Sequence, residues 1–144
     1  MKTLLINLTL VTLVLSSIGC NSVNGKESDS KATVKESEKV EVYYFHYTRR
    51  CATCIAVEDE TKNALNNLYG EQMKNKSIVF QSVNLDEDNS KELAEKLEIS
   101  GQTLLIVSGE KKENLTTDAF MNAKSDPDKL KEIIKSTIDP LLGL

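Results

Sequence analysis

The chain reads VEVYYFHYTRRCATC over residues 40–54, where a strand-like run leads into a C-x-x-C motif. The first part, residues 40–47, is rich in β-branched and aromatic residues, which is typical of a β-strand. From Cys51 onward the apolar residues recur at helical spacing, and Glu58 is among the charged residues that fall off the apolar face. We therefore predict a strand followed by a helix, with Cys51 and Cys54 at the junction between them.

Hydrophobic periodicity and turn residues predict five further elements. These are a strand at 77–85, a helix at 89–97, a strand at 103–107, a strand at 114–118, and a helix from Asp126-Pro127 to Pro140. Gly70 is expected to end the first helix, and a hairpin turn is expected at 109–112. A crossover helix makes the first two strands parallel, and a tight hairpin makes the last two antiparallel. The order β-α-β-α-β-β-α therefore predicts an α/β domain with a mixed central sheet and helices on both faces.

The N-terminal segment has the pattern of a bacterial lipoprotein signal peptide. Residues 1–19 combine the positive charge of Lys2 with an apolar run that is too short for an ordinary membrane span. Small residues precede Cys20 as in a lipobox, although Ser17 stands where Leu is usual. We expect lipidation of Cys20 and attachment to the bacterial cell envelope, at the periplasmic or outer-membrane face. The alternatives are a buried N-terminal helix and a secretory signal cut elsewhere, which would leave Cys20 unpaired in an oxidising compartment.

A tether and a single domain follow the signal peptide. Residues 21–38 are dominated by Ser, Lys, Glu and Asn, and they contain too few hydrophobic residues to form a core. With the lipidated Cys20, this stretch is interpreted as a flexible tether that holds the domain off the membrane. Residues 39–144 are then the folded domain, which is long enough to bury a core of its own.

Length and charge exclude several classes of function. The chain has 144 residues, which excludes a large multidomain enzyme. Its 22 acidic residues exceed its 18 basic ones and give a net charge of −4. This argues against a nucleic-acid partner, because phosphate contacts need clustered Lys and Arg. One His and three Cys exclude a multi-His metal site within the chain and a disulfide scaffold.

The start of the first helix favours thiolate chemistry at Cys51. Free backbone N–H groups and the positive end of the helix dipole stabilise a thiolate there, and we expect Arg49 and Arg50 to add to this effect. We expect Cys51 to face solvent and Cys54 to lie in line with the buried stripe, which is the asymmetry that dithiol exchange needs. Three interpretations stay open: a redox dithiol, half of a zinc or iron–sulfur site, and an inert structural disulfide. No metal is expected, because the domain offers only His46 as a further zinc ligand of the usual type.

His46 lies on the predicted first strand, five residues before Cys51. It is a candidate proton shuttle for the dithiol, because an imidazole titrates close to neutral pH. The alternative is a packed or solvated strand residue without a role in the chemistry.

The order of elements, with C-x-x-C after the first strand of the domain, resembles the thioredoxin fold. The stretch YYFHYTRRCATC at 43–54, together with Asn84-Leu85-Asp86 and Lys96-Leu97-Glu98-Ile99, is similar to thioredoxin-like proteins. The resemblance implies that Cys51 is the nucleophile and Cys54 the resolving cysteine of a thiol–disulfide oxidoreductase. It implies protein thiols or disulfides as partners and no organic cofactor. More narrowly, the chain looks like the small lipid-anchored thioredoxin-like proteins of Bacteroidetes-type bacteria.

The sequence departs from the thioredoxin pattern around the motif. Arg50 stands where thioredoxins have Trp, Ala52-Thr53 replaces Gly-Pro, and residues 42–47 lack the family's buried Asp. The family's cis-proline before the third strand is absent, since Gln102 or Thr103 occupies that position. In the family this proline packs on the dithiol, positions substrate backbone and discourages metal binding. An alternative function therefore stays open: a non-catalytic thioredoxin-fold binding module, which in one version shares a metal or iron–sulfur cluster across a dimer.

Overall fold

The computed structural model describes residues 39–144, so the predicted signal peptide, the lipidation site Cys20 and the tether up to residue 38 lie outside the described residues. Eight regular elements make up the described part. They are β1 (Val40–His46), α1 (Ala52–Lys74), β2 (Ile78–Asn84), α2 (Lys91–Leu97), β3 (Thr103–Ser108), β4 (Lys111–Asn114), α3 (Thr116–Asn122) and α4 (Pro127–Leu142), with one short 3-10 turn just before α2. Among these helices, none is both long enough and apolar enough to cross a membrane.

The four strands form one mixed sheet in the order β2-β1-β3-β4. Strands β1 and β2 are parallel and are joined through α1, whereas β3 runs antiparallel to β1 and to β4. The register places Phe45 opposite Thr103, so the end of β1 lies beside the start of β3. The mixed sheet predicted from the crossover and the hairpin is therefore confirmed.

The central strand β1 is buried on both faces of the sheet. Its residues Val42 and Tyr44 pack in the larger core, beneath α1, α3 and α4. The alternate residues Tyr43 and Phe45 pack in a smaller core against Ala94 and Leu97 of α2. This alternation follows from the two-residue period of a strand, and it confirms helices on both faces. Together with the strand order, it makes the fold thioredoxin-like.

The predicted strand at 114–118 is wrong. The fourth strand, β4, covers Lys111–Asn114 instead. The hairpin turn is therefore shorter than predicted and consists of Gly109 and Glu110. Gly109 has φ 57°, a value that glycine adopts without strain. The chain then turns because the Asn114 side-chain oxygen accepts from both the backbone N–H and the hydroxyl of Thr116, at 3.0 and 2.6 Å. Helix α3 follows, and it was missed although Leu115, Ala119 and Ala123 are buried at four-residue spacing.

Two helices also continue past their predicted ends. Helix α1 runs beyond Gly70 to Lys74, with a local break at Tyr69 (φ −133°, ψ 33°). Helix α4 begins as predicted, because the Asp126 side chain accepts from the Lys129 N–H at 3.1 Å, but it continues through Pro140. Proline in that last turn frees only a carbonyl on the exposed side of the helix, where water can bind it.

Candidate active site

The two cysteines of the motif occupy the first turn of α1. Cys51 is the N-cap residue and its sulfur accepts from the Cys54 backbone N–H at 3.3 Å. The two Sγ atoms lie 2.6 Å apart, with Cys51 exposed and Cys54 only 4% exposed. The predicted asymmetry of an accessible and a sheltered sulfur is therefore present. The pair is close enough to form a disulfide with little movement of the backbone.

The thiol of Cys51 has its pKa lowered by donors of its own helix turn. The side chain of Cys54 lowers this pKa most, followed by the backbone N–H of Cys54. The backbone N–H of Thr53 adds to the effect. The two backbone N–H groups are among the free amide groups that a helix start provides, so the thiolate is favoured at the exposed sulfur.

The two arginines expected to stabilise the thiolate have different surroundings. Arg49 is exposed, whereas the Arg50 guanidinium forms an ion pair with the Glu58 carboxylate. Arg50 therefore shares the single carboxylate of Glu58 with Lys62. The assigned role of the two arginines stays a prediction.

Glu58 is a buried carboxylate, so the prediction that it lies off the apolar face of α1 is wrong. Its side chain is 9% exposed and binds both Arg50 and Lys62, the latter at 2.6 Å. Burial alone would raise the pKa of Glu58, but the hydrogen bonds from Lys62 and Arg50 outweigh it and lower the pKa to about 2. The sequence offers two signals for these ion pairs. Lys62 lies four positions after Glu58 on α1, and Arg50 lies just before α1 begins.

Tyr44 connects β1 to the dithiol turn. Its hydroxyl donates to the Cys54 backbone carbonyl at 2.9 Å, and the side chain is fully buried. Burial raises the pKa of Tyr44 well above its ordinary value, and the proximity of Cys54 adds to that rise. The phenol therefore stays protonated and holds the carbonyl of the buried cysteine in place.

His46 is buried and bound to groups other than the cysteines. Its Nδ1 lies 3.0 Å from the Tyr47 carbonyl, which can only accept, so Nδ1 is the protonated nitrogen in this contact. Its Nε2 lies 2.9 Å from the Ser82 hydroxyl. Among residues 39–144, neither ring nitrogen hydrogen-bonds to a sulfur, so the structure does not bring this candidate proton shuttle into contact with the dithiol.

Gln102 is the residue at the predicted cis-proline position that contacts the dithiol. Its Oε1 lies 3.6 Å from the Cys54 Sγ, whereas the Thr103 hydroxyl donates to the Gly101 carbonyl at 3.0 Å. A Cβ on Gly101 would lie 3.9 Å from the Tyr47 hydroxyl, which places that exposed ring beside the same loop. Within the described part of the chain, no peptide bond is cis.

Groups of three or more metal-ligating side chains are absent from the part of the chain that the structure describes. Cys51 and Cys54 supply two thiol ligands of the kind that zinc and iron–sulfur clusters use. A metal at this site would therefore need ligands from elsewhere.

Comparison with known proteins concerns the fold. No protein-family model and no curated protein matches the chain. Among solved structures, the germline-specific thioredoxin Deadhead of Drosophila melanogaster is similar with a TM-score of 0.45 and 20% identity, over 69% of this chain and 81% of that one. A thioredoxin-2 described as a component of malaria parasite protein secretion machinery gives 0.44 and 21%, over 69% and 84% of the two chains. The strand order and helix placement described above define the fold in this chain.

Proposed function

We propose that this protein is a thiol–disulfide exchange protein in which Cys51 is the nucleophile and Cys54 the resolving cysteine. The observation that carries the proposal is the pairing of an exposed, thiolate-favouring N-cap cysteine with a buried cysteine 2.6 Å away. Exchange requires an attacking thiolate that substrates can reach and a second thiol that they cannot.

The proposed reaction has two steps. The Cys51 thiolate attacks one sulfur of a substrate disulfide, so that its S–S bond breaks, a mixed disulfide forms and one substrate thiolate leaves. Cys54 then loses its proton to water and attacks the Cys51 sulfur. The Cys51–Cys54 disulfide forms, the second substrate thiolate leaves and is protonated, and two electrons have passed to the substrate. The reverse sequence oxidises a substrate dithiol.

Protein thiols or disulfides are the proposed partners, and the chemistry requires no organic cofactor. Tyr47 and Ile55 support a protein partner, because both are large hydrophobic residues that stay exposed within four residues of a motif cysteine, at 39% and 46%. Arg49 and Arg50 are proposed to favour the thiolate further.

The test is the reduction potential of the pair in the full chain with Cys20→Ser, so that only two thiols titrate. We expect a reversible disulfide whose potential lies between about −270 mV for a reductant and about −120 mV for an oxidant. Cys51→Ser should abolish exchange, and Cys54→Ala should accumulate the mixed disulfide. A pair that never forms a reversible disulfide, or a Cys51→Ser variant with full activity, would overturn the proposal.

Membrane tethering is a separate part of the proposal, and it is supported by the sequence of residues 1–38. We propose that Cys20 is lipidated and that residues 21–38 connect it to the domain at the bacterial cell envelope. In a bacterial host, the wild-type chain should fractionate with membranes, and Cys20→Ser should release it. Equal membrane association of both proteins would contradict a lipid anchor at Cys20.

A second candidate function is a non-catalytic binding module that shares a metal or iron–sulfur cluster across a dimer. The observation that favours it is Gln102 at the position where the family has the proline that discourages metal binding. Anaerobically purified protein would then be dimeric and contain zinc or iron in proportion to chain. A metal-free monomer with a reversible disulfide would exclude this candidate.

A further inference from the structure

The buried sulfur of Cys54 has two polar neighbours with different properties. One is the Cys51 sulfur at 2.6 Å, and the other is the side-chain oxygen of Gln102 at 3.6 Å. Cys54 is 4% exposed, so water gives it almost no hydrogen bonds. The partners available to this sulfur therefore change with the state of Cys51.

Formation of a mixed disulfide removes the better of these partners. A Cys51 thiolate accepts a hydrogen bond from the Cys54 thiol, but a disulfide sulfur is a weak acceptor. Among the described residues, Gln102 is then the remaining side chain that hydrogen-bonds to the Cys54 sulfur. Its oxygen accepts from the thiol and thereby holds the proton on Cys54.

Resolution needs the opposite hydrogen bond. Once Cys54 has lost its proton, a thiolate in a nearly dry site is costly unless a donor faces it. The carboxamide of Gln102 has both an acceptor oxygen and a donor NH₂ group, and its last side-chain torsion is broad and roughly two-fold. A half-turn about that torsion replaces the oxygen with the amide nitrogen at the sulfur.

We propose that Gln102 is a positioning residue for the second step of exchange, turning its carboxamide to donate an N–H to the Cys54 thiolate as the mixed disulfide resolves. The inference rests on the proposed function. It assigns to Gln102 a role that a proline at this position could not have, because proline has no side-chain donor. The covalent step is unchanged: the Cys54–Cys51 bond forms, the bond from Cys51 to the substrate sulfur breaks, and the proton passes from Cys54 to water.

The test separates the two steps with an aromatic disulfide reagent that releases a coloured thiolate at each step. In the full chain with Cys20→Ser, the first phase of colour reports attack by Cys51 and the second reports resolution by Cys54. Gln102→Glu keeps the size and the acceptor but loses the donor, and Gln102→Leu loses both. Gln72→Leu, near the C-terminal end of α1, is the matched control.

We expect both Gln102 variants to slow the second phase by about 10- to 100-fold, which is the range for loss of one hydrogen bond to a charged group. Their second phase should also need a higher pH. In Gln102→Leu, which adds no charge beside Cys51, the first phase should keep its wild-type pH profile. A variant that merely loosened the fold would alter both phases and the thermal unfolding curve.

The outcomes distinguish this inference from the proposed function. Two phases in the wild type, with a second phase that neither Gln102 variant changes, would overturn the role of Gln102 alone. A wild-type chain without a first phase would overturn both, because Cys51 would then not exchange.

Discussion

Replacing Glu58 with Gln should destabilise the protein strongly at neutral pH and hardly at all in acid. The substitution keeps the size of the side chain and removes the charge that holds Arg50 and Lys62. Gln can still accept a hydrogen bond, so the change isolates the ionised carboxylate. Both cations are partly exposed, at 30% and 45%, so they can regain water when their partner is lost.

The magnitude follows from the pKa of Glu58, which lies at about 2 instead of its ordinary 4.5. Each pH unit of difference between the folded and unfolded states is worth about 1.4 kcal/mol, so the ionised carboxylate contributes about 3 kcal/mol to the free energy of unfolding. Because the folded-state pKa is the lower one, this contribution is complete above about pH 4.5 and is lost as the pH falls towards about 2.

The assay is chemical denaturation of wild type and Glu58→Gln at a series of pH values. Other carboxylates titrate equally in both proteins and cancel in the difference. Asp59→Asn is the matched control, since it removes the same charge from the exposed neighbouring position and should leave the free energy of unfolding nearly unchanged. A difference for Glu58→Gln that is small at neutral pH, or that does not shrink in acid, would refute the reasoning.

Three further predictions concern single side chains. Cys54→Ala removes the largest cause of the lowered pKa of Cys51, so alkylation of Cys51 should need a higher pH, and an unchanged profile would contradict this. Thr61→Val should stabilise the fold by about 1 kcal/mol in denaturant titration, because the Thr61 hydroxyl is buried without a partner among the described residues; a loss of stability would show that the hydroxyl has one. Arg49→Gln should slow alkylation of Cys51 at low salt only, because Arg49 is exposed and salt screens its charge. Arg50→Gln should mainly lower the free energy of unfolding, because it removes an ion pair with Glu58. Equal effects of the two variants on alkylation would contradict this difference.

The parts of the fold that the sequence predicted correctly depend on local signals. The run at residues 40–47 and the helical spacing after Cys51 each reflect the period of one element, and the crossover and hairpin then determine strand directions.

The end of α1 depends on a distant contact instead. The Tyr69 hydroxyl donates to the Asp139 carboxylate of α4 at 2.6 Å, so packing between helices supports the chain through Gly70, where helix propensity is poor.

The start of α3 was missed for a similar reason. Residues 114–118 contain two threonines, which favour strands when judged locally. In the fold, the Thr116 hydroxyl accepts from the Leu104 backbone N–H at 3.0 Å, a contact between residues 12 apart in sequence. That hydrogen bond joins the first residue of α3 to β3, and no local pattern encodes it.

The candidate site likewise combines residues that the local sequence predicts with residues that only the fold brings together. The placement of Cys51 and Cys54 follows from their spacing at a helix start, which sequence alone reveals. Glu58 has acidic neighbours along the chain, so the basic residues Arg50 and Lys62 are the local signals for its ion pairs, and its burial becomes evident only in the fold. The resemblance to thioredoxins left Gln102 and Thr103 as alternatives, and the choice depends on which side chain turns towards α1 from the start of β3.

The surroundings of the two sulfurs thus come from different parts of the fold. The donors around Cys51 belong to the first turn of α1, so its nucleophilicity depends on a few consecutive residues. The partners of Cys54 come from the sheet, with Tyr44 on β1 holding its carbonyl and Gln102 before β3 facing its sulfur. Because β1 and β3 are paired with each other, their register sets the position of both partners at once. Disturbing that register would therefore act directly on the resolving step of the proposed exchange, and on Cys51 only through the position of the Cys54 side chain that lowers its pKa.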